Sequence, residues 1–417
     1  MNGKKPPKVL FYTNACDAQS TLARTIESIL AQTRGDWVWH LVDNGSADAT
    51  GEMIREAARR DGRIVALANR KNHVVEPGNG WWEISDAFSG DEFLCFIDAD
   101  DEYKPDFIEK TRAFAVENDL DVACCGSDFI DWRTGKVTST RILKRDLLIE
   151  GDGFSTDFAV YHQFMRTMWG KLYRLRVMRG LDSARIPGVY YSWDTLFAQE
   201  CFRTAARVGI LAESLHKYHV RPGSLSSRWD RRRVETDAIL LKLARDFLTD
   251  KCGSVTPGNE DFLLAVYMNA LTDTLDVLLK SGAPGDEKLA AVLDVFSRED
   301  TKRLAARERL GVFLGIEQEC AERRRALFAT AADFLLRVND APDERLELFF
   351  DAGEFVCAAC RNADGWIFFK KLRARFLLEN GRADEARTDV GELAKLLPAD
   401  AEIADLARRI DAPSFHP

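Results

Sequence analysis

The 417-residue sequence is poor in histidine, with six in all, and none falls in an HExxH or comparable zinc spacing. It lacks a GxxxxGK[ST] loop, which excludes a P-loop nucleotidase. It lacks GxGxxG after its first strand pattern, which argues against a dinucleotide enzyme. Its nine cysteines follow no repeating framework, and an odd number in so long a chain suits reduced thiols in a cytoplasm. The single CxxC, Cys357 and Cys360, has no second pair and no nearby His, so it reads as two small apolar residues on a helix. No apolar run approaches the roughly 18 residues that span a bilayer. The opening MNGKKPPKVLFYT has no signal-peptide core. Basic residues are not in excess: 58 Lys and Arg stand against 67 Asp and Glu, a net charge of −9. That balance argues against general nucleic-acid binding.

What is present falls into two textures. The length exceeds what one hydrophobic core usually serves, so two domains are expected. Over the first 130 residues, short apolar runs alternate with helical periodicity. KVLFYT, DWVWHLVD, GRIVALA, EFLCFID and DVACCGSDFIDW read as strands. STLARTIESILAQT, ADATGEMIREAARR and KPDFIEKTRAFAVEN read as helices. Such alternation predicts crossover units and a mainly parallel, Rossmann-like α/β sheet flanked by helices. Residues from about 131 to 226 are less regular, with a helix expected near SWDTLFAQECFRTAARVG and a strand in LHKYHV. From about 227 onward only helical periodicity remains, so the chain divides into domains at 1–228 and 229–417. The stretch LLENGRADEAR followed by LLPAD resembles one tetratricopeptide-type unit; an ordinary helical bundle is the alternative.

Polar clusters follow three of the strands: NACDA, LVDNGSADAT and FIDADDEY. In a parallel sheet these ends lie along one edge, where open α/β sheets bind ligands. Asp43, Asp98 and Asp100 can therefore face one crevice. Each acid alternatively caps a helix, the reading favoured for Asp48 and Asp101. Capping fails for Asp98, because the next helical pattern begins only near Pro105. Two carboxylates about 4 Å apart repel by about 4 kcal/mol at an effective dielectric near 20. A hard divalent cation, Mg²⁺ or Mn²⁺, prefers such oxygen ligands and relieves that repulsion.

The order of these segments, with MWGKLYR (168–174), YSWDTLF (191–197) and HKYHVRPGSLS (216–226) after them, resembles the family 2 glycosyltransferases of GT-A fold that build bacterial capsule, lipopolysaccharide and exopolysaccharide. The resemblance covers residues 8–228 and implies roles. Asp43 matches the acid that contacts the nucleotide base. Asp98 and Asp100 match the DxD metal pair. Asp194 matches the general base of inverting members. Arg221 and Ser224 match the loop that approaches the diphosphate or acceptor. Asn14 and Cys16 match the donor-facing segment after the first strand, where Cys16 replaces the usual base-stacking aromatic. Trp193 stands where the family usually has Glu, and reads either as packing or as a water-excluding wall. Trp81 and Trp82 lie in a long link ahead of FIDADD, as donor-site elaboration or packing.

The resemblance implies an inverting, Mn²⁺- or Mg²⁺-dependent transferase. It would move a sugar from a nucleotide donor, UDP-linked by expectation, to a saccharide or lipid-linked acceptor. The expected place is the cytoplasm or the inner face of the cytoplasmic membrane. The helical domain is expected to bind acceptor, a partner or a second copy of the chain. The rival reading is a degenerate scaffold acting through its helices. RWDRRR (228–233) reads as a solvated helix start or as a phosphate contact, and the RRR at 323–325 as surface.

Overall fold

The computed structural model describes residues 8–69, 90–182, 191–221, 228–312, 315–339 and 341–411. Ser224, Trp81 and Trp82 lie outside the described residues. The chain forms two compact units, one of residues 1–227 and 242–259, the other of residues 228–241 and 260–417.

The first unit is built on a ten-stranded sheet. Its strands are β1 (Val9–Ala15), β2 (Trp37–Asp43), β3 (Ile64–Ala68), β4 (Phe93–Phe96), β5 (Glu102–Tyr103), β6 (Val122–Asp131), β7 (Val137–Arg141), β8 (Leu147–Ile149), β9 (Lys171–Arg174) and β10 (Val208–Val220). The order is β3-β2-β1-β4-β9-β6-β10-β5, with β7 on β6 and β8 on β10. The four strands β3, β2, β1 and β4 are parallel, joined by α1 (Leu22–Leu30) and α2 (Thr50–Arg60). Beyond β4 the sheet departs from the parallel expectation. β9 runs antiparallel to both β4 and β6, and β5, β7 and β8 are antiparallel as well. The sheet is thus mixed.

The core explains the strand order. β4 is buried along its whole length, as a strand covered on both faces must be. Phe11, Trp37, Tyr103 and Phe107 cluster beneath it. α3 (Phe107–Glu117) and α4 (Trp193–Thr204) follow in this unit. The pairing of β1 ends at Ala15 opposite Asp43, so the loops after β1 and β2 leave the sheet side by side.

The second unit holds helices only among the described residues: α5 (Arg232–Cys252, its first half), α6 (Pro257–Lys280), α7 (Gly285–Ser297), α8 (Glu299–Ala306), α9 (Glu317–Leu335), α10 (Leu346–Cys360), α11 (Ala363–Glu379), α12 (Ala383–Leu396) and α13 (Ala401–Asp411). From α9 onward consecutive helices pack on one another. Ala374, Leu377, Ala386, Val390, Leu393 and Leu406 form the core of the last three. α6 is long and apolar enough to cross a membrane, and 56% of its most apolar window is buried inside the protein. Cys357 is buried and Cys360 half-buried on α10, both as free thiols.

Candidate active site

The acidic loop after β4 is fixed from one side by α1. Thr21 Oγ1 donates to the Ala99 carbonyl at 3.0 Å, Arg24 Nη2 to the Asp100 carbonyl at 2.8 Å, and Thr25 Oγ1 to the Asp101 carbonyl at 2.8 Å. Positions 21, 24 and 25 share one helix face. The same loop is fixed from the other side by β10, where the His219 amide donates to Asp101 Oδ1 at 2.9 Å. The loop backbone is therefore held before any ligand arrives.

Asp98, Asp100 and Asp101 each offer an oxygen, and the three oxygens lie within 4.8 Å of one another. Asp98 reaches solvent, Asp100 is half-buried and Asp101 is buried. Although Asp98 reaches solvent, protein crowded around its carboxyl, and then the charges of Asp101, Asp100 and Asp194, hold it above the ordinary range. Burial, then the charge of Asp100, raises Asp101 likewise, although the His219 amide pulls it back. Asp101 Oδ2 faces His216 Nε2 at 3.4 Å. Asp101, read from sequence as a helix cap, thus belongs to the cluster. Arg221 donates to Asp100 Oδ2 at 2.5 Å, placing a guanidinium against the acid.

Asp194 occupies the second position of α4, behind Ser192 in the left-handed region (φ 57°). Burial raises its carboxyl, and the Thr195 amide, Lys171 and Arg166 moderate that rise. Its charge is felt by Asp98 and by Tyr218. Tyr218, pushed up to about 12 by burial and then by Asp101, Asp98, Asp100 and Asp194, is a member of the site that sequence reasoning missed. Trp193 is buried and stacks on Phe197, with centroids 5.3 Å apart, which is packing.

The loop from Arg166 to Gly170 is anchored at every carbonyl. Thr195 Oγ1 donates to Arg166 O (2.8 Å), Lys171 Nζ to Thr167 O (2.5 Å) and Trp169 O (3.1 Å), Tyr173 Oη to Met168 O (3.0 Å), and the Cys125 amide to Gly170 O (2.9 Å). Lys171 is 1% exposed, and burial lowers its ammonium to about 8. Trp169 stacks on His216 and Tyr218 at 4.4 and 5.2 Å. Nothing in the sequence marked Lys171 as more than part of a motif, because its partners are carbonyls.

At the other end of the edge, Asp43 Oδ1 accepts from the Ser46 amide at 3.0 Å. Gly51 leaves room for the second oxygen, since a Cβ there would stand 2.3 Å from Asp43 Oδ2. Asp17, at φ 48°, joins the loop after β1 to the loop after β2 by accepting from the Ala47 amide at 2.8 Å. Cys16 is half-buried close to Asp43. Burial and then Asp17, Asp43 and Asp48 raise its thiol, so it is neutral there. Asn14 is exposed at the end of β1. Asp48 accepts from the Thr50 amide at 2.9 Å. In RWDRRR, Arg232 pairs with Asp230, and Arg233, 1% exposed, pairs with Asp273. Arg232 is exposed but ion-paired, and Arg233 is buried and ion-paired.

Comparison with known proteins was made on this geometry. Residues 11–174 match the family described as Glycosyl transferase family 2. The uncharacterized glycosyltransferase EpsJ of Bacillus subtilis is 25% identical over 232 residues, 53% of this chain and 63% of that protein. The succinoglycan biosynthesis protein ExoO of Rhizobium meliloti is 27% identical over 265 residues, 59% of this chain and 72% of that protein. The chain therefore spans less than two thirds of EpsJ. The crystal structure of S. aureus TarS 1-349 in complex with UDP shares the fold, with a TM-score of 0.54 and 16% identity over 81% of this chain and 94% of that one.

Proposed function

The N-terminal unit of this chain belongs to glycosyl transferase family 2, and from that premise we propose that the protein is a metal-dependent, inverting glycosyltransferase. It takes a sugar from a nucleotide-diphosphate donor, UDP-linked in our reading, to a saccharide or lipid-linked acceptor in bacterial surface-glycan synthesis. One observation carries the proposal: three acidic oxygens within 4.8 Å on a pinned loop, with Asp194 close enough to raise Asp98. Hard carboxylate oxygens gathered this closely fit Mn²⁺ or Mg²⁺. Asp98 and Asp100 are the residues that would hold the ion. When bound, such an ion acts as a Lewis acid on the leaving diphosphate.

The protein's own residues do the rest. Asp43 receives the base, in a niche that Gly51 keeps open, and Asn14 and Cys16 border it. Arg221, now on Asp100, is placed to pass to the diphosphate, and Ser224 acts beside it. Asp194 takes the proton from the attacking hydroxyl. A raised carboxyl is the better base for that task, and a positioned base contributes about 10²–10⁴-fold. UDP is favoured because the TarS chain that shares the fold was crystallised with it. The polysaccharide setting draws on the printed role of ExoO. We place the protein in the cytoplasm, at the inner face of the membrane when its acceptor is lipid-linked, with the helical unit engaging acceptor or a second copy.

Calorimetric titration of UDP with Mn²⁺ and with EDTA tests the site, and a screen of nucleotide-sugars for slow release of the diphosphate tests the chemistry. Metal-dependent binding with no release from any donor would favour the degenerate scaffold. Binding of no nucleotide in either condition would overturn the transferase reading.

A further inference from the structure

The run Arg323–Arg325 lies on α9, and among the described residues only its first member is neutralised, by Glu319. Arg324 is half-buried, and its Nη1 is buried without a hydrogen-bond partner among the described residues. Among the described residues no carboxylate pairs with Arg324, Arg325 or Arg361, in a chain with nine more acidic than basic residues. Arg361 follows α10, which packs on α9. It occupies the left-handed position after the helix (φ 63°), where glycine is the usual choice. α11 starts two residues later, at Ala363, and adds the positive end of its dipole.

The packing of α10 on α9 brings the end of α10, with Arg361, toward the face of α9 that carries Arg324. Arg324 is held below its ordinary range by burial and then by the charges of Arg361 and Arg325. A half-buried cation is normally retained only with a paired anion. Here the neighbours are of like sign, and a donor points at no acceptor. A flat lipid surface would reach the two exposed arginines but not the buried Nη1. A small oxyanion suits that recess, and guanidinium groups bind phosphate oxygens with directed, charge-assisted bonds.

We infer that Arg324, Arg325 and Arg361 form an anion site in the helical unit that takes a phosphate-type oxyanion, either free or carried on a sugar. The site is independent of the donor site, so its test stands apart from that of the transferase reading.

The experiment is thermal unfolding of the full chain in EDTA at constant ionic strength, with chloride, inorganic phosphate or glucose 6-phosphate. EDTA leaves the acidic cluster without a cation, so that it repels anions. Phosphate at about five times its dissociation constant is expected to raise the midpoint by about 2–4 °C over chloride. Arg324→Met and Arg361→Gly are each expected to lose that shift. Glycine suits the left-handed backbone, so loss in Arg361→Gly does not report unfolding. A shift with both phosphates assigns the site to sugar-borne phosphate, and one with inorganic phosphate alone assigns it to the free anion. Equal midpoints in chloride and both phosphates would overturn the inference, as would a phosphate response undiminished in both variants.

Discussion

Gly51→Ala separates the proposed donor niche from the stability of the fold. The new methyl would stand 2.3 Å from Asp43 Oδ2 and 3.2 Å from its Cγ. Real Cβ contacts essentially never fall under 3.0 Å, so the oxygen must retreat by about 0.7 Å. The carboxylate holds the Ser46 amide through Oδ1, and it cannot withdraw one oxygen without turning the other. α2 itself gains, because alanine is favoured over glycine in a helix by up to about 1 kcal/mol. That gain offsets part of the local crowding, so the melting midpoint is expected to move by only a few degrees. Nucleotide binding should respond very differently. A hydrogen bond to a charged group contributes about 1.5–3 kcal/mol, which is about 10- to 150-fold in the dissociation constant. Titration of UDP with Mn²⁺ into Gly51→Ala is expected to show a loss in that range. Gly51→Ser should behave alike, since its Cβ meets the same oxygen. Unchanged UDP affinity in both variants would refute the assignment of Asp43 as the base-binding acid.

The other predictions concern the rest of the edge. Asp194→Asn should lower sugar transfer by about 10²–10⁴-fold while leaving UDP affinity near that of the parent; an equal loss of both would remove Asp194 from the role of base. Asp100→Ala should abolish the difference between Mn²⁺ and EDTA in UDP titrations, and retention of that difference would move the metal to other residues. Lys171→Met leaves the Thr167 and Trp169 carbonyls without their donor and should cost about 1–3 kcal/mol in denaturant unfolding, together with altered tryptophan emission. His162 is buried and held down to about 3, by burial and then by Arg166. Its unfolded form takes up a proton near 6.5. Stability is therefore full above about pH 6.5 and is lost as pH falls toward 3, by on the order of 4 kcal/mol; His162→Gln should flatten that limb of the stability profile.

The parallel half of the sheet was legible because its signals are local. The apolar runs of β1, β2 and β4 and the amphipathic faces of α1 and α2 need no knowledge of their neighbours. β9 was not legible for the opposite reason. KLYR is fully buried, yet two of its four residues are cationic, so local reading sends it to the surface. Lys171 is tolerated inside because three oxygens of the preceding loop surround its ammonium, and Arg174 because Leu120 O accepts from it while its guanidinium lies over Phe93. The same limit governs the site. The spacing of Asp98 and Asp100 is visible in sequence, because both follow one strand. The membership of Asp101 is a tertiary fact, made by a β10 amide more than a hundred residues away. Tyr218 and the pins at Thr21, Arg24 and Thr25 are tertiary in the same sense.

These fixtures bear on mechanism as well as on legibility. Acidic residues that repel one another would ordinarily swing apart into solvent. Here the carbonyls of residues 99, 100 and 101 are each tied to α1, so the backbone cannot relieve the repulsion by moving. What remains free to respond is protonation, seen in the raised carboxyls of Asp98 and Asp101, or a borrowed cation, seen in Arg221 on Asp100. Under the proposed metal-dependent reading, a site held in this way would favour an incoming divalent ion, because folding has already assembled its ligands.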